Sequence, residues 1–284
     1  MTIYASGSSS PLRTIAYRMN SPYRLAFDSS GNLYVGNIFG SKMAGSVRVY
    51  ARGKAILLRT IRQGVSDPWP LVFDGSGNLY VGNQNANTVT VYAPDGTSVL
   101  RTISNTFGPV ALAFDGSGNL YVANYRVQKV TVYAPGSTSV LRTISKGISD
   151  PWTLAFDGSG NLYVTGQYNN TVTVYAPGST SVLRTISQGI NSPQALAFDG
   201  KGNLYVGNFG ANDVTVYAPG SSKVLRKISQ GVNYPYALAL DSSGNLYVAN
   251  IDGNTVTVYS PGGKSLLRTI SQGVSAPSAL AFGP

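Results

Sequence analysis

The sequence predicts an all-β fold of repeated four-stranded antiparallel units, a β-propeller, on the strength of two regularities. Gly-Asn-Leu-Tyr-Val recurs with its Gly at 31, 77, 118, 160, 202 and 244, and Leu-Arg-(Thr/Lys)-Ile recurs seven times from Leu12 to Leu267. The period is about 42 residues, the mark of an architecture in which each copy is one supersecondary unit. No linker interrupts it, so residues 1–284 read as a single domain.

Residues 193–230 serve as the type copy. Ala195-Leu-Ala-Phe198 is a short apolar run, closed by the turn residues Asp199-Gly-Lys-Gly-Asn203. Leu204-Tyr-Val206 is the second strand, and Phe209-Gly-Ala-Asn212 turns the chain again. Val214-Thr-Val-Tyr217 is the third strand, ended by Ala218-Pro-Gly-Ser-Ser, and Val224-Leu-Arg-Lys-Ile228 is the fourth. Four short strands on hairpin-length loops make an antiparallel meander. The strands are apolar on both faces where a half-buried sheet would alternate, so each sheet must be covered on both sides. Identical sheets packed face to face do this for every copy at once. Each buried Leu, Val or Phe contributes roughly 1.5–3 kcal/mol.

Counting strand types favours seven blades. The first strand appears seven times (Leu25, Leu71, Leu112, Leu154, Leu196, Leu238, Leu280) and the second six times. The third appears seven times if Thr2-Ile-Tyr4 matches Thr215-Val-Tyr217, and the fourth seven times. On this count residues 1–17 and 275–284 share a closing blade that lacks its second strand. A six-bladed ring with spare strands is the alternative. A blade short of one strand would leave edges open to oligomerisation.

The pattern Pro-x-x-Leu-Ala-Phe-Asp-x-x-Gly-Asn-Leu-Tyr-Val-x-Asn, followed by Asn-Thr-Val-Thr-Val-Tyr and Leu-Arg-Thr-Ile, resembles the NHL and YVTN repeats over essentially the whole chain. The resemblance implies a propeller, of six blades for NHL-type and seven for YVTN-type rings. These families include surface proteins, protein- and RNA-binding modules and a few enzymes, so it does not choose a function. The enzymes similar to this repeat, streptogramin lyases and lactonases, depend on His or Glu with a divalent metal.

This chain has no His, Cys or Glu. The usual general bases, most transition-metal ligands and the most reactive nucleophile are therefore absent, and neither catalysis nor a cofactor is expected. The lack of thiols is compatible with export, and an extracellular or cell-surface location is favoured, although no signal segment is present. No run of 18 apolar residues predicts membrane insertion. The net charge of +10 suggests nucleic acid, but seven of the 21 basic residues are one repeat position, Arg13 to Arg268, spread from copy to copy. The surplus reads as a solubility feature rather than a nucleic-acid groove.

Positions shared by all copies read as scaffold. Asp28, Asp74, Asp115, Asp157, Asp199 and Asp241 each precede the same turn and are expected to bond its amides; a carboxylate ring holding metal is the sharper alternative. Asn37, Asn83, Asn124, Asn208 and Asn250 follow the second strand, with Gly166 once in their place.

Function is sought where the copies differ. The loop into each first strand carries Tyr23, Arg24, Trp69, Trp152, Gln194 and Tyr236, and the loop between second and third strands carries Phe39, Tyr125, Tyr168 and Phe209. Aromatic faces beside amides and an Arg are what a carbohydrate or peptide pocket uses, although the same rings serve equally well as packing. The expectation is a non-catalytic propeller that binds a carbohydrate, a peptide or a protein partner. The alternative is a fragment or engineered propeller without native activity.

Overall fold

The structure, a computed structural model, describes residues 1–15, 21–38 and 45–283. Two strands come first, β1 (Thr2–Tyr4) and β2 (Pro11–Thr14), paired as a two-stranded sheet. Six four-stranded meanders follow, each with its strands side by side in chain order. They are β3 (Pro22–Phe27), β4 (Leu33–Asn37), β5 (Ser46–Tyr50) and β6 (Leu57–Ile61); β7 (Pro68–Phe73), β8 (Leu79–Asn83), β9 (Thr88–Tyr92) and β10 (Val99–Ile103); and β11 (Pro109–Phe114), β12 (Leu120–Asn124), β13 (Lys129–Tyr133) and β14 (Val140–Ile144). The last three are β15 (Pro151–Phe156), β16 (Leu162–Gly166), β17 (Thr171–Tyr175) and β18 (Val182–Ile186); β19 (Pro193–Phe198), β20 (Leu204–Asn208), β21 (Asp213–Tyr217) and β22 (Val224–Ile228); and β23 (Pro235–Leu240), β24 (Leu246–Asn250), β25 (Thr255–Tyr259) and β26 (Leu266–Ile270).

These sheets are the blades of a β-propeller, and there are six of them among the described residues, not seven. Residues 277–283 repeat the first-strand sequence yet form no strand. The reason is local. Among the described residues no second strand pairs with them, so they lack the ladder partner that every other first strand uses. Leu280 and Phe282 still pack, Leu280 with Tyr4 on the cluster of Val256, Val258 and Ile270, and Phe282 edge-on to Tyr247 at 5.0 Å.

The described residues fall into two compact units. One holds Ile15–Ser145 and therefore blades one to three; the other holds Met1–Thr14 and Lys146–Phe282, with blades four to six and the β1–β2 sheet. Within each unit neighbouring blades bury one cluster between them. Tyr34, Val47, Val49 and Ile61 of blade one meet Leu79, Val81 and Tyr92 of blade two; Val172, Val174 and Ile186 of blade four meet Leu204, Val206 and Tyr217 of blade five. Second and third strands are buried on both faces, as their unbroken apolar sequence demands. Fourth strands alternate, leaving Leu100 and Leu183 about half exposed on the outer edge. No helix is long and apolar enough to cross a membrane.

Tyrosine ties one blade to the next. The third-strand Tyr92, Tyr133, Tyr175, Tyr217 and Tyr259 are buried, and each hydroxyl donates to a carbonyl in the loop leaving the preceding fourth strand (Gln63, Asn105, Lys146, Gln188 and Gln230). Tyr4 donates to the Gln272 carbonyl in the same way at 2.6 Å, so β1 is a third strand by its contacts as well as its sequence.

The repeated basic position is part of this frame. Arg142 and Arg268 donate to the hydroxyls of Tyr121 and Tyr247 at 2.7 and 2.9 Å, and Arg59, Arg101 and Arg184 do the same to Tyr34, Tyr80 and Tyr163. Each of these guanidiniums also lies over its Tyr ring. Much of the positive surplus is thus spent within blades.

The turn aspartates do what their position predicts. Asp199 Oδ1 accepts the N–H groups of Lys201 and Asn203, and Oδ2 accepts the Asn203 side-chain amide at 2.8 Å. Burial alone would raise the carboxyls of Asp157, Asp199 and Asp241, but the hydrogen bonds from these side-chain and backbone amides outweigh it and hold all three below 3.8. A depressed folded value stabilises the fold above the unfolded value, and that contribution fades as pH falls below it. Stability is therefore expected to decline as pH drops under about 3.8. The Asp157→Asn, Asp199→Asn, Asp241→Asn triple variant should lose less over the same interval in urea titrations, from a lower starting point at neutral pH.

Candidate functional site

Each first strand opens with proline and then carries one residue more than its partner. Pro22 pairs with Asn37 but Arg24 with Gly36, so Tyr23 bulges; Val110, Gln194 and Tyr236 bulge alike, and Trp69 and Trp152 lie in the same interruption of their strands. The expected loop positions are therefore strand positions at a bulge, a device that re-aims a side chain and bends the strand.

The residue before each of these prolines sits in the left-handed region: Ser21, Asp67, Gly108, Asp150, Ser192 and Tyr234 have φ between 46° and 61°, and Ala276 before Pro277 has 40°. That conformation is costly before proline and for a bulky residue such as Tyr234. It is held from two sides. Its carbonyl accepts from the residue beyond the second strand, as Asp67 does from Gln84 and Ser192 from Phe209. Its N–H is claimed by an Asn of the preceding blade: Asn170 accepts from Ser192, Asn212 from Tyr234 and Asn254 from Ala276, each at 2.7 Å. Asn87 does the same for Gly108 at 2.8 Å. Sequence reasoning missed these latches, although the Asn just before four of the third strands (Asn87, Asn170, Asn212 and Asn254) was the available signal. Strain held by outside restraints is common where a protein binds ligands.

An aromatic group forms here in each unit. In the first, the Tyr23 and Trp69 rings meet edge-on at 4.6 Å, and the Arg24 guanidinium lies 4.5 Å from the Tyr23 ring and 5.7 Å from that of Trp69. In the second, Phe209 meets Tyr234 at 4.8 Å and Tyr236 at 6.5 Å. Along this unit Trp152 is half-buried, and the Thr153 hydroxyl donates to the Gln194 carbonyl at 2.6 Å. The Gln194 side chain is 6% exposed, and its Oε1 meets no hydrogen-bond donor among the described residues. Tyr125 is half-buried at the start of a 3-10 turn, away from both groups in sequence, and Tyr168 is 70% exposed at a loop tip. Phe39 lies outside the described residues.

Burial pushes the Asp67 and Asp150 carboxyls up from the usual carboxylate range. Elsewhere, a pocket of about 320 Å³ is lined by Asp28, Tyr34, Phe73, Asp74 and Asp95. No three acidic side chains gather for a metal ion among the described residues.

No protein-family model matches the chain, and no curated protein sequence does. Solved structures do. A protein from Lactobacillus plantarum is 19% identical with a TM-score of 0.82, over 94% of this chain and 89% of its own. A streptogramin B lyase is 10% identical with a TM-score of 0.81, over 94% and 89%. A catalytically inactive histidine-to-alanine variant of virginiamycin B lyase from Staphylococcus aureus, with quinupristin, is 11% identical with a TM-score of 0.72, over 92% and 87%. At such identities the likeness establishes the β-propeller repeat fold and leaves the activity open. Assignment to the NHL or YVTN families rests on no family match.

Proposed function

We propose that the chain is a non-catalytic binding propeller of the NHL/YVTN type. Its ligand, a carbohydrate or a peptide, is held by the side chains that bulge from the first strands. The observation that carries this reading is the bulge itself. One position per blade is re-aimed by the same backbone device, and there the near-identical copies carry Tyr23, Trp69, Val110, Trp152, Gln194 and Tyr236. A residue serving only the frame has no reason to vary where its backbone does not. Aromatic faces supply flat apolar area, and the buried Gln194 Oε1 is an acceptor for a hydroxyl or an amide N–H.

The absence of catalysis is argued from composition. A lyase of this fold is inactive as a histidine-to-alanine variant, and this chain has no His at all. The raised Asp67 and Asp150 carboxyls adjoin Trp69 and Trp152, but among the described residues neither shares a hydrogen bond with a second acid–base side chain of the kind such chemistry uses.

The test is a glycan and peptide array probed with the purified chain and with the Trp69→Ala, Trp152→Ala double variant. Binding by the parent that falls about tenfold or more in the variant, with folding intact, is expected. A folded parent that binds nothing on the array would leave a display scaffold as the better reading.

A further inference from the structure

We propose that the outer edge of β1 is a docking site for an extended strand from another polypeptide, one carrying Leu-Tyr-Val in the register of this chain's own second strands. This surface is separate from the bulged residues. β1 has the pairing of a third strand: Thr2, Ile3 and Tyr4 face Thr14, Arg13 and Pro11, as Thr173, Val174 and Tyr175 face Thr185, Arg184 and Val182. In every blade the third strand also pairs with a second strand and is buried between its two neighbours. Among the described residues β1 pairs with β2 alone, and all three of its residues are half-exposed.

The edge is continuous with an interface already built. The Tyr4 hydroxyl and Thr2 Oγ1 donate to the Gln272 and Gly273 carbonyls. Tyr4 and Leu280 both pack on Val256, Val258 and Ile270, giving an incoming strand an apolar floor. The occupant's chemistry follows from the repeat. Leu162, Tyr163 and Val164 pair with Tyr175, Val174 and Thr173, so an added strand would set its Leu opposite Tyr4, its Tyr opposite Ile3 and its Val opposite Thr2. Main-chain hydrogen bonds supply affinity in such strand addition, and the alternating side chains supply specificity.

The experiment titrates the full chain into a fluorescent peptide of residues 244–250, Gly-Asn-Leu-Tyr-Val-Ala-Asn, and follows anisotropy. Saturable binding is expected, with a scrambled peptide and the Ile3→Lys chain each weaker by about tenfold or more. The Leu183→Ser chain, altered on an exposed fourth-strand position, should bind like the parent. Because a strand turns alternate amides toward its partner, methylating the amides of Leu and Val, or that of Tyr, should abolish binding in one of the two frames only. Hydrogen exchange should slow at Thr2–Tyr4 when peptide is bound. No binding, equal binding of the scrambled peptide, or equal binding of both methylated frames overturns the proposal. So does a dimer of the chain that the peptide dissociates, which would make a second copy the occupant.

Discussion

Raising the pH is expected to unfold this chain in one steep step soon after pH 10. Six third-strand tyrosines, Tyr50, Tyr92, Tyr133, Tyr175, Tyr217 and Tyr259, are at most 1% exposed. Burial raises all six from the ordinary value of 10, against weaker opposing effects from neighbouring Thr hydroxyls or, at Tyr50, from Arg48. Burial also pushes the second-strand Tyr34, Tyr163 and Tyr205 up to about 12. A raised folded value contributes stability in full below the unfolded value and loses it as pH climbs toward the folded one. The unfolded chain surrenders these protons near 10 while the folded chain keeps them. Each such group costs about 1.4 kcal/mol of stability per pH unit, so six approach roughly 8 kcal/mol per unit at the limit. Domain stabilities are about 5–15 kcal/mol, so a slope approaching that limit is steep enough to unfold the chain. Tyrosinate absorbance and loss of far-UV circular dichroism should rise together. Tyrosinate that accumulates smoothly from pH 10 in a chain still folded would contradict the burial of these hydroxyls.

That periodicity was readable without coordinates, and so was most of the frame it builds. Leu-Tyr-Val and Val-Thr-Val-Tyr are apolar on both faces, and the structure buries both faces. The Asp before each Gly-rich turn bonds the turn amides, because a carboxylate two and four residues ahead of free N–H groups has few other uses. Blade number was not readable in this way. Counting treated Ser278–Phe282 as a strand on sequence alone, whereas a strand exists only with a partner, and no described strand pairs with this segment.

The bulge escaped the sequence for a related reason. An extra residue shows only when two strands are laid in register, and nothing in Pro-Tyr-Arg-Leu-Ala-Phe or Pro-Gln-Ala-Leu-Ala-Phe marks which residue is unpaired. Blade four hides another substitution. Where Gly166 replaces the repeated Asn, a Cβ on residue 166 would come within 2.1 Å of Asn169 Oδ1, so the Asn169 amide fills the space the missing side chain vacates. The space is filled from three residues away, and the Asn169 Oδ1 accepts from the Thr171 hydroxyl there, which position-by-position comparison of the copies does not reveal.

The repeated Asn itself should give the largest effect of any single polar substitution, and blade five should be the most sensitive. Asn208 is fully buried. Its Oδ1 accepts the Asn191 N–H at 3.1 Å, and its Nδ2 donates to Asp213 Oδ1 at 2.7 Å and Thr215 Oγ1 at 2.9 Å. Asp213 is 1% exposed, and its other oxygen meets the Lys227 ammonium at 2.7 Å. Asn208→Ala removes one of the two groups that solvate this buried carboxylate, and leaving a buried charge underserved costs about 3–5 kcal/mol. In blade six Asn250 has the same backbone duties but donates to Thr255 and Thr257, which are neutral. Asn250→Ala should therefore cost only about 1–3 kcal/mol, the usual range for leaving buried polar groups unsatisfied. Adding Asp213→Thr to Asn208→Ala should bring its cost down to that of Asn250→Ala in urea titrations. If the two single variants are equally destabilised, the carboxylate is not what makes blade five sensitive, and the shared backbone bonds to Asn191 and Asn233 carry the whole effect.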